Sequence, residues 1–114
     1  MAIDRQYIEQ GWLDGAIHKL DALYKESREY EDEGDILPTE QEVKSAKALV
    51  SKLTAAPVPS IALTVNGEFL FMWEIAGDDF TACVSTDGST KFHKSHVPID
   101  QRMFINYLSN AAAA

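Results

Sequence analysis

The apolar positions of this chain change period near residue 60, recurring at helical spacing before it and alternating after it. Leu13, Ile17, Leu20 and Tyr24 fall at i, i+4, i+7 and i+11, with Ala16, Leu23 and Ser27 flanking them. That spacing predicts an amphipathic helix over residues 3–29. Asp14, Lys19, Asp21, Lys25 and Arg28 lie opposite, and Asp21 precedes Lys25 by four residues, a favourable surface pair. Gly11 and Gly15 each cost about 1 kcal/mol relative to alanine in a helix interior. Ile3, Tyr7, Ile8 and Trp12 are therefore expected to form a separate or bent first segment.

A second helix opens on Thr39-Glu40-Gln41-Glu42, the pattern of a capping box. Thr39 would accept from a first-turn amide while Glu42 reaches back. Val43, Ala46, Leu49, Val50 and Leu53 form its apolar face, and Ala56-Pro57-Val58-Pro59 stops it.

The alternating part begins with Ile61-Ala62-Leu63-Thr64-Val65 and Phe69-Leu70-Phe71-Met72-Trp73, separated by Asn66-Gly67. An Asn-Gly pair so flanked is the strongest short hairpin signal, because a type I′ turn needs φ > 0 at both central residues. A two-residue turn there pairs Leu63 with Leu70 and Ile61 with Met72. One face then carries Ala62, Thr64, Phe69, Phe71, Trp73 and Ile75, joined by Phe80, Ala82 and Val84 if Gly77-Asp78 is a second such turn. The other face carries Ile61, Leu63, Leu70, Met72 and Cys83, which is too apolar to be washed freely by water. Asp87-Gly88 marks a third turn. Residues 99–109 read as a short last helix with Asp100 as N-cap and Met103, Phe104, Tyr107 and Leu108 on its apolar side. That helix is the natural candidate to cover part of the second face. The expected fold is α+β: two N-terminal helices packed on a four-stranded antiparallel meander, with a short C-terminal helix. Residues 1–110 form one domain, and 111–114 read as a frayed tail or cloning remnant.

At 114 residues, 46% apolar and 25% charged, the chain supports one core and is not disordered as a whole. The lone Cys83 excludes an internal disulfide and fits a reducing compartment. No apolar run approaches the roughly 20 residues that span a bilayer, and Met1 to Arg5 lack the pattern of a signal peptide. A cytoplasmic location in a bacterial host cell is expected, with no membrane contact. The net charge of −8 is uneven: up to Asp35 there are ten acids and four bases, and afterwards eight acids and six bases. A field of that sign disfavours direct contact with nucleic acid and favours a basic protein partner.

Complete reactive sets are missing from the inventory. His93 and His96 amount to half of a zinc site and read as a solvated pair at a strand end. Glu31-Asp32-Glu33-Gly34-Asp35 lacks the ligand spacing of a calcium loop. No serine stands in a nucleophile elbow, and no glycine-rich phosphate loop occurs. Phe69, Phe71 and Trp73 could stack on bases, but only Lys91 and Lys94 accompany them, so core packing accounts for them better. No catalytic residue, metal or cofactor is expected.

The string Leu37-Pro38-Thr39 opening a helix, then Pro57-x-Pro59-x-Ile61-x-x-Thr64-x-Asn66-Gly67, then Trp73-Glu74 and Asp87-Gly88, resembles a widespread group of small uncharacterised bacterial and mobile-element proteins. The likeness covers roughly residues 28–93; Tyr30 to Gly34 resembles the group's acidic loop without its usual Trp-Asp-Gly core. It implies helices on a meander and no activity. In type, the chain also resembles phage-encoded inhibitors of bacterial defence (anti-CRISPR proteins), antitoxins and immunity proteins. The expected function is that of a small acidic non-enzymatic inhibitor occupying a larger partner with a basic surface. Glu29, Glu31, Asp32, Glu33 and Asp35 would supply charge, and Leu70 and Met72 apolar contact. A homodimer using the apolar sheet face is the alternative, and an enzyme with an unrecognised site the third.

Overall fold

A computed structural model describes residues 2–29, 36–53 and 56–113, with side chains for 12–29, 36–53 and 56–110. The elements are α1 (Ala2–Ser27), α2 (Glu40–Lys52), β1 (Ser60–Leu63), β2 (Phe69–Ile75), β3 (Asp78–Val84), β4 (Thr90–Lys94), β5 (Val97–Ile99) and α3 (Gln101–Ala113). The strands form one antiparallel sheet in the order β1-β2-β3-β4-β5. The α+β class stands, with five strands in place of four. The fifth follows a turn in which Ser95 (φ 50°) and His96 (φ 69°) both adopt the left-handed conformation without a glycine.

The expected break in the first helix does not occur: α1 is continuous through Gly11 and Gly15. Burial of Ala16 and Leu20 in the common core outweighs the propensity cost, and nothing lies within 4 Å of the space a Gly15 Cβ would take. Asp21 turns away from Lys25 to meet Lys47 of α2 at 2.8 Å. Both side chains are exposed, so that pair contributes under about 1 kcal/mol.

The first hairpin is the principal correction. Gly67 N–H donates to Thr64 O at 3.0 Å and Thr64 N–H to Glu68 O at 2.9 Å, which closes a three-residue loop, Val65-Asn66-Gly67. Gly67 alone among these takes a positive φ, of 75°. That is a type I turn followed by a glycine bulge, where a two-residue type I′ turn was expected. The Thr64 hydroxyl selects it by accepting from the amides of Asn66 (3.3 Å) and Glu68 (3.2 Å). Leu63 therefore pairs with Phe69 and Ile61 with Phe71, a slip of one residue that turns every β1 side chain over. Ile61 and Leu63 pack against the core, and Ala62 joins the opposite face.

The β2–β3 turn is centred on Ala76-Gly77 rather than Gly77-Asp78. The resulting shift in pairing is two residues, so Phe80, Ala82 and Val84 keep the core face. The β3–β4 connection repeats the bulged form: Gly88 N–H donates to Ser85 O, and Gly88 has φ 87°.

All three helices contribute buried side chains to one cluster with Phe69, Phe71, Trp73, Phe80, Ala82, Val84 and Phe92. The α3 helix does not cover the second sheet face as expected. Its fully buried Phe104 sits against Phe92, Trp73 and Phe80, with ring centroids 4.8, 5.5 and 6.3 Å away. Because β5 ends at the sheet edge on this side, Asp100 caps α3 there by accepting from the Met103 amide at 2.8 Å. In the same layer, Trp73 Nε1 donates to Pro57 O at 2.7 Å and so ties the segment after α2 to β2.

The capping box of α2 is half formed. The Thr39 hydroxyl accepts from the Glu42 amide at 3.1 Å and donates to Thr86 O at 2.6 Å. Rather than closing the box, the Glu42 carboxylate reaches across to the Phe69 amide at 3.0 Å. This junction is close-packed: a Cβ on Gly67 would lie 2.7 Å from Ile36 O. Gly77, at φ 85°, has open space around it. Gly67→Ala is therefore expected to cost about 3 kcal/mol, combining left-handed strain with displacement of backbone, against about 1 kcal/mol for Gly77→Ala. Urea unfolding of the two variants measures the difference, and equal losses would contradict the close approach at Ile36.

Candidate functional site

The face left over by this packing is read directly from the strand register, since opposed residues in antiparallel strands point the same way. One row crosses the whole sheet: Ser60, Met72, Thr81, His93 and Pro98. The next is Ala62, Leu70, Cys83 and Lys91. Leu70, Met72, Thr81 and Cys83 are half-buried and stand outside the buried cluster. Charge lies around them: Glu68 at one end, exposed Glu74 and Asp79 at the other, and exposed Lys91 on the β4 side.

Leu70 and Met72 thus lie on the face that the described helices leave uncovered, on the same side as each other, as the alternation suggested. Ile61 and Leu63 do not. Lys91 and His93 belong to this face although neither was read as a contact; the alternation around buried Phe92 was the signal for them. His96 is exposed in the β4–β5 turn, whereas His93 is half-buried within β4. Among the described residues, no group of three His, Cys, Asp or Glu side chains is placed to hold a metal ion. Among them, also, no helix is long and apolar enough to cross a membrane. Of the acidic segment, Glu29 is exposed just beyond α1, while Glu31, Asp32, Glu33 and Asp35 lie outside the described residues.

Two described contacts place the ends of that segment. Arg28 stacks on Tyr24 at 4.4 Å and donates to Pro38 O at 2.6 Å. The Ile36 amide donates to Val65 O at 3.1 Å, so the chain leaves the segment at the end of the sheet where Glu68 and the exposed Asp87 stand. Ile36 and Val65 are themselves exposed, at 56% and 68%. Glu68 accepts from the Ser85 hydroxyl at 3.1 Å. The Ser89 hydroxyl and amide hold the Asp87 carboxyl below its usual range. Beside the face, an open groove of roughly 610 Å³ is bordered by Lys91, His93, Pro98, Asp100 and Gln101.

Cys83 sits in the middle of the face. Burial among its neighbours, then the negative charge of Glu68, push its thiol up to about 11. A shift of that size from 9.0 leaves about 100-fold less thiolate at pH 8. Iodoacetamide should accordingly modify Cys83 about 100-fold more slowly in the folded protein than in the urea-unfolded chain, and Glu68→Gln should recover part of the rate. Mass spectrometry follows the reaction; equal rates in both states would show the thiol in an ordinary aqueous setting.

The chain matches no family model, no curated protein and no solved structure, so the use of this face is read from its own residues.

Proposed function

We propose that this protein is a small non-enzymatic inhibitor that binds a larger, basic protein partner through its uncovered sheet face. The observation that carries this reading is the one-sided packing of the sheet. Buried helical side chains gather on the aromatic face, leaving Leu70, Met72 and Cys83 outside the core on the other. Aliphatic side chains in the centre with charge around the margin is the arrangement of a protein interface, in which the centre sets residence time and the margin sets recognition. The acidic segment from Glu29 to Asp35 adds −5 over seven residues, and Ile36 ties its end to the sheet beside Glu68. A partner with a cationic surface, such as a nucleic-acid-binding effector of a bacterial defence system or a toxin, fits that charge. On this reading the protein acts as an inhibitor of the anti-CRISPR or antitoxin type.

Self-association is the second reading. It is favoured by the neutrality of the β1–β3 part of the face, where Ser60, Ala62, Leu70, Met72, Thr81 and Cys83 bring no charge to be desolvated, Lys91 and His93 standing to the β4 side.

Affinity capture from host lysate with the wild-type chain, followed by mass spectrometry, identifies the partner. The variant Leu70→Lys/Met72→Lys is expected to fold and to lose at least tenfold in affinity, about 1.4 kcal/mol. Glu31→Lys/Asp32→Lys/Glu33→Lys should slow association and flatten its salt dependence. Undiminished binding by both variants would refute the proposed surface. Sedimentation at micromolar concentration decides the second reading, which predicts a dimer insensitive to salt and dissociated by Leu70→Lys/Met72→Lys.

A further inference from the structure

The aromatic side of the molecule contains one group that an apolar core disfavours. Glu42 stands at the third position of α2 with 0% of its surface exposed. Its Oε2 accepts from the Phe69 amide at 3.0 Å, whereas its Oε1 has no hydrogen-bond partner among the described residues. A carboxylate buried with one donor and no cation is costly, and the proton that neutralises it is the least expensive remedy.

The groups acting on it provide no counter-charge. Glu68, where the chain enters β2, is a second acid and opposes ionisation of Glu42. Cys83 of β3 feels both acids and is kept neutral, and Lys91 of β4 acts on Cys83. Two amides favour the charged form, that of Phe69 bonded to Oε2 and that of Thr39 nearby but outside hydrogen-bond geometry; burial outweighs both, raising the carboxyl to about 7.

We propose that Glu42 is a proton-operated latch joining α2 to the sheet: neutral, it seats the start of α2 against the two bulged hairpin loops; ionised, it draws water to Oε1 and loosens that seat. The geometry makes the effect local. Thr39 bridges to Thr86 O in the loop Ser85–Ser89, Gly67 in the loop Thr64–Glu68 packs against Ile36 and Leu37, and Gly88 packs against Gln41 and Ser45. Relief of a charge at Glu42 by water has to open this cluster, while Trp73, Phe80 and Phe104 at the far end of the core are untouched. The latch operates whatever the identity of the partner at the uncovered face.

The sign of the pH dependence follows from linkage. An acid whose folded value lies above its unfolded one binds an extra proton in the folded state between the two values, so stability falls as pH rises through that window. From well below 4.5 to well above 7, the folded-to-unfolded ratio should drop by about 300-fold on account of this group. The test combines two measurements on the full chain. Carbon-detected NMR should show the Glu42 carboxyl titrating near 7. Urea unfolding from pH 4.5 to 8.5 should show the wild type losing stability that Glu42→Gln does not lose. Hydrogen exchange, corrected for its intrinsic pH dependence, should accelerate above pH 7 more at Gly67, Phe69 and Gly88, which a local opening exposes, than at Trp73 or Phe80, which follow only the global loss of stability. Titration of Glu42 near 4.5 overturns the latch even if Glu42→Gln fails to fold. Parallel pH profiles for wild type and Glu42→Gln, or uniform acceleration of exchange across the sheet, overturn it as well.

Discussion

The start of α2 is wedged between two hairpin loops, and the two-layer structure depends on that wedge. Thr39 performs two tasks with one hydroxyl, accepting from the helix amide at Glu42 and donating to Thr86 O. Gly67 and Gly88 take positive φ angles that complete their bulged turns, and both present bare Cα atoms to the incoming chain. A single glycine in each loop thereby satisfies the turn and admits the helix. At the other end of the layer the attachment is aromatic: Phe104 lies on Trp73, Phe80 and Phe92. A polar clamp at one end and a ring cluster at the other hold helices to the same side of the sheet.

The uncovered face is the consequence. An antiparallel sheet open to water usually shows polar side chains there, but this one shows Leu70, Met72, Ala62 and Cys83 in its middle. Its charged residues are displaced to the margins, at Glu68, Glu74, Asp79 and Lys91. Solubility alone would be served better by charge in the centre. The short outer strand β5 contains Pro98, which has no amide to donate and discourages strand addition at that edge. The face, rather than this edge, is the surface that invites contact.

The strong regularities of the sequence translated into structure, and the exceptions have local causes. The aromatic alternation through Phe69, Phe71, Trp73 and Phe80 is unambiguous, and misplacing the intervening turn by one residue shifted the pairing by two and preserved the face. At Asn66-Gly67 the same kind of reading failed, because the Thr64 hydroxyl favours a three-residue loop and the resulting one-residue slip exchanges the faces of Ile61 and Ala62. Strand β5 was hidden by Pro98 and by a left-handed turn built from Ser95 and His96, neither of which announces a hairpin. The apolar stripe of α3 was legible, but its side of the sheet depends on where β5 ends. Sequence proximity likewise could not reveal that Glu42 would prefer an amide 27 residues away to its own cap.

That preference connects the two departures from ordinary packing. A glutamine at position 42 could also occupy the third position of a capping box, without bringing a charge into the core, so the cap does not require an acid. Its carboxylate bonds the amide of Phe69, and the next residue, Leu70, points its side chain to the uncovered face. One peptide unit therefore separates the group most sensitive to protons from the row most suited to a partner. Displacing the first residue of β2 displaces both, since a strand cannot move one face without the other. Where the same backbone serves two sites, binding at the face and protonation of Glu42 influence each other only so far as both favour the same position of β2, and that influence is reciprocal. An acid in the core and an apolar surface outside it each break a local rule of folding, and such breaks are expected where a chain is shaped by more than stability.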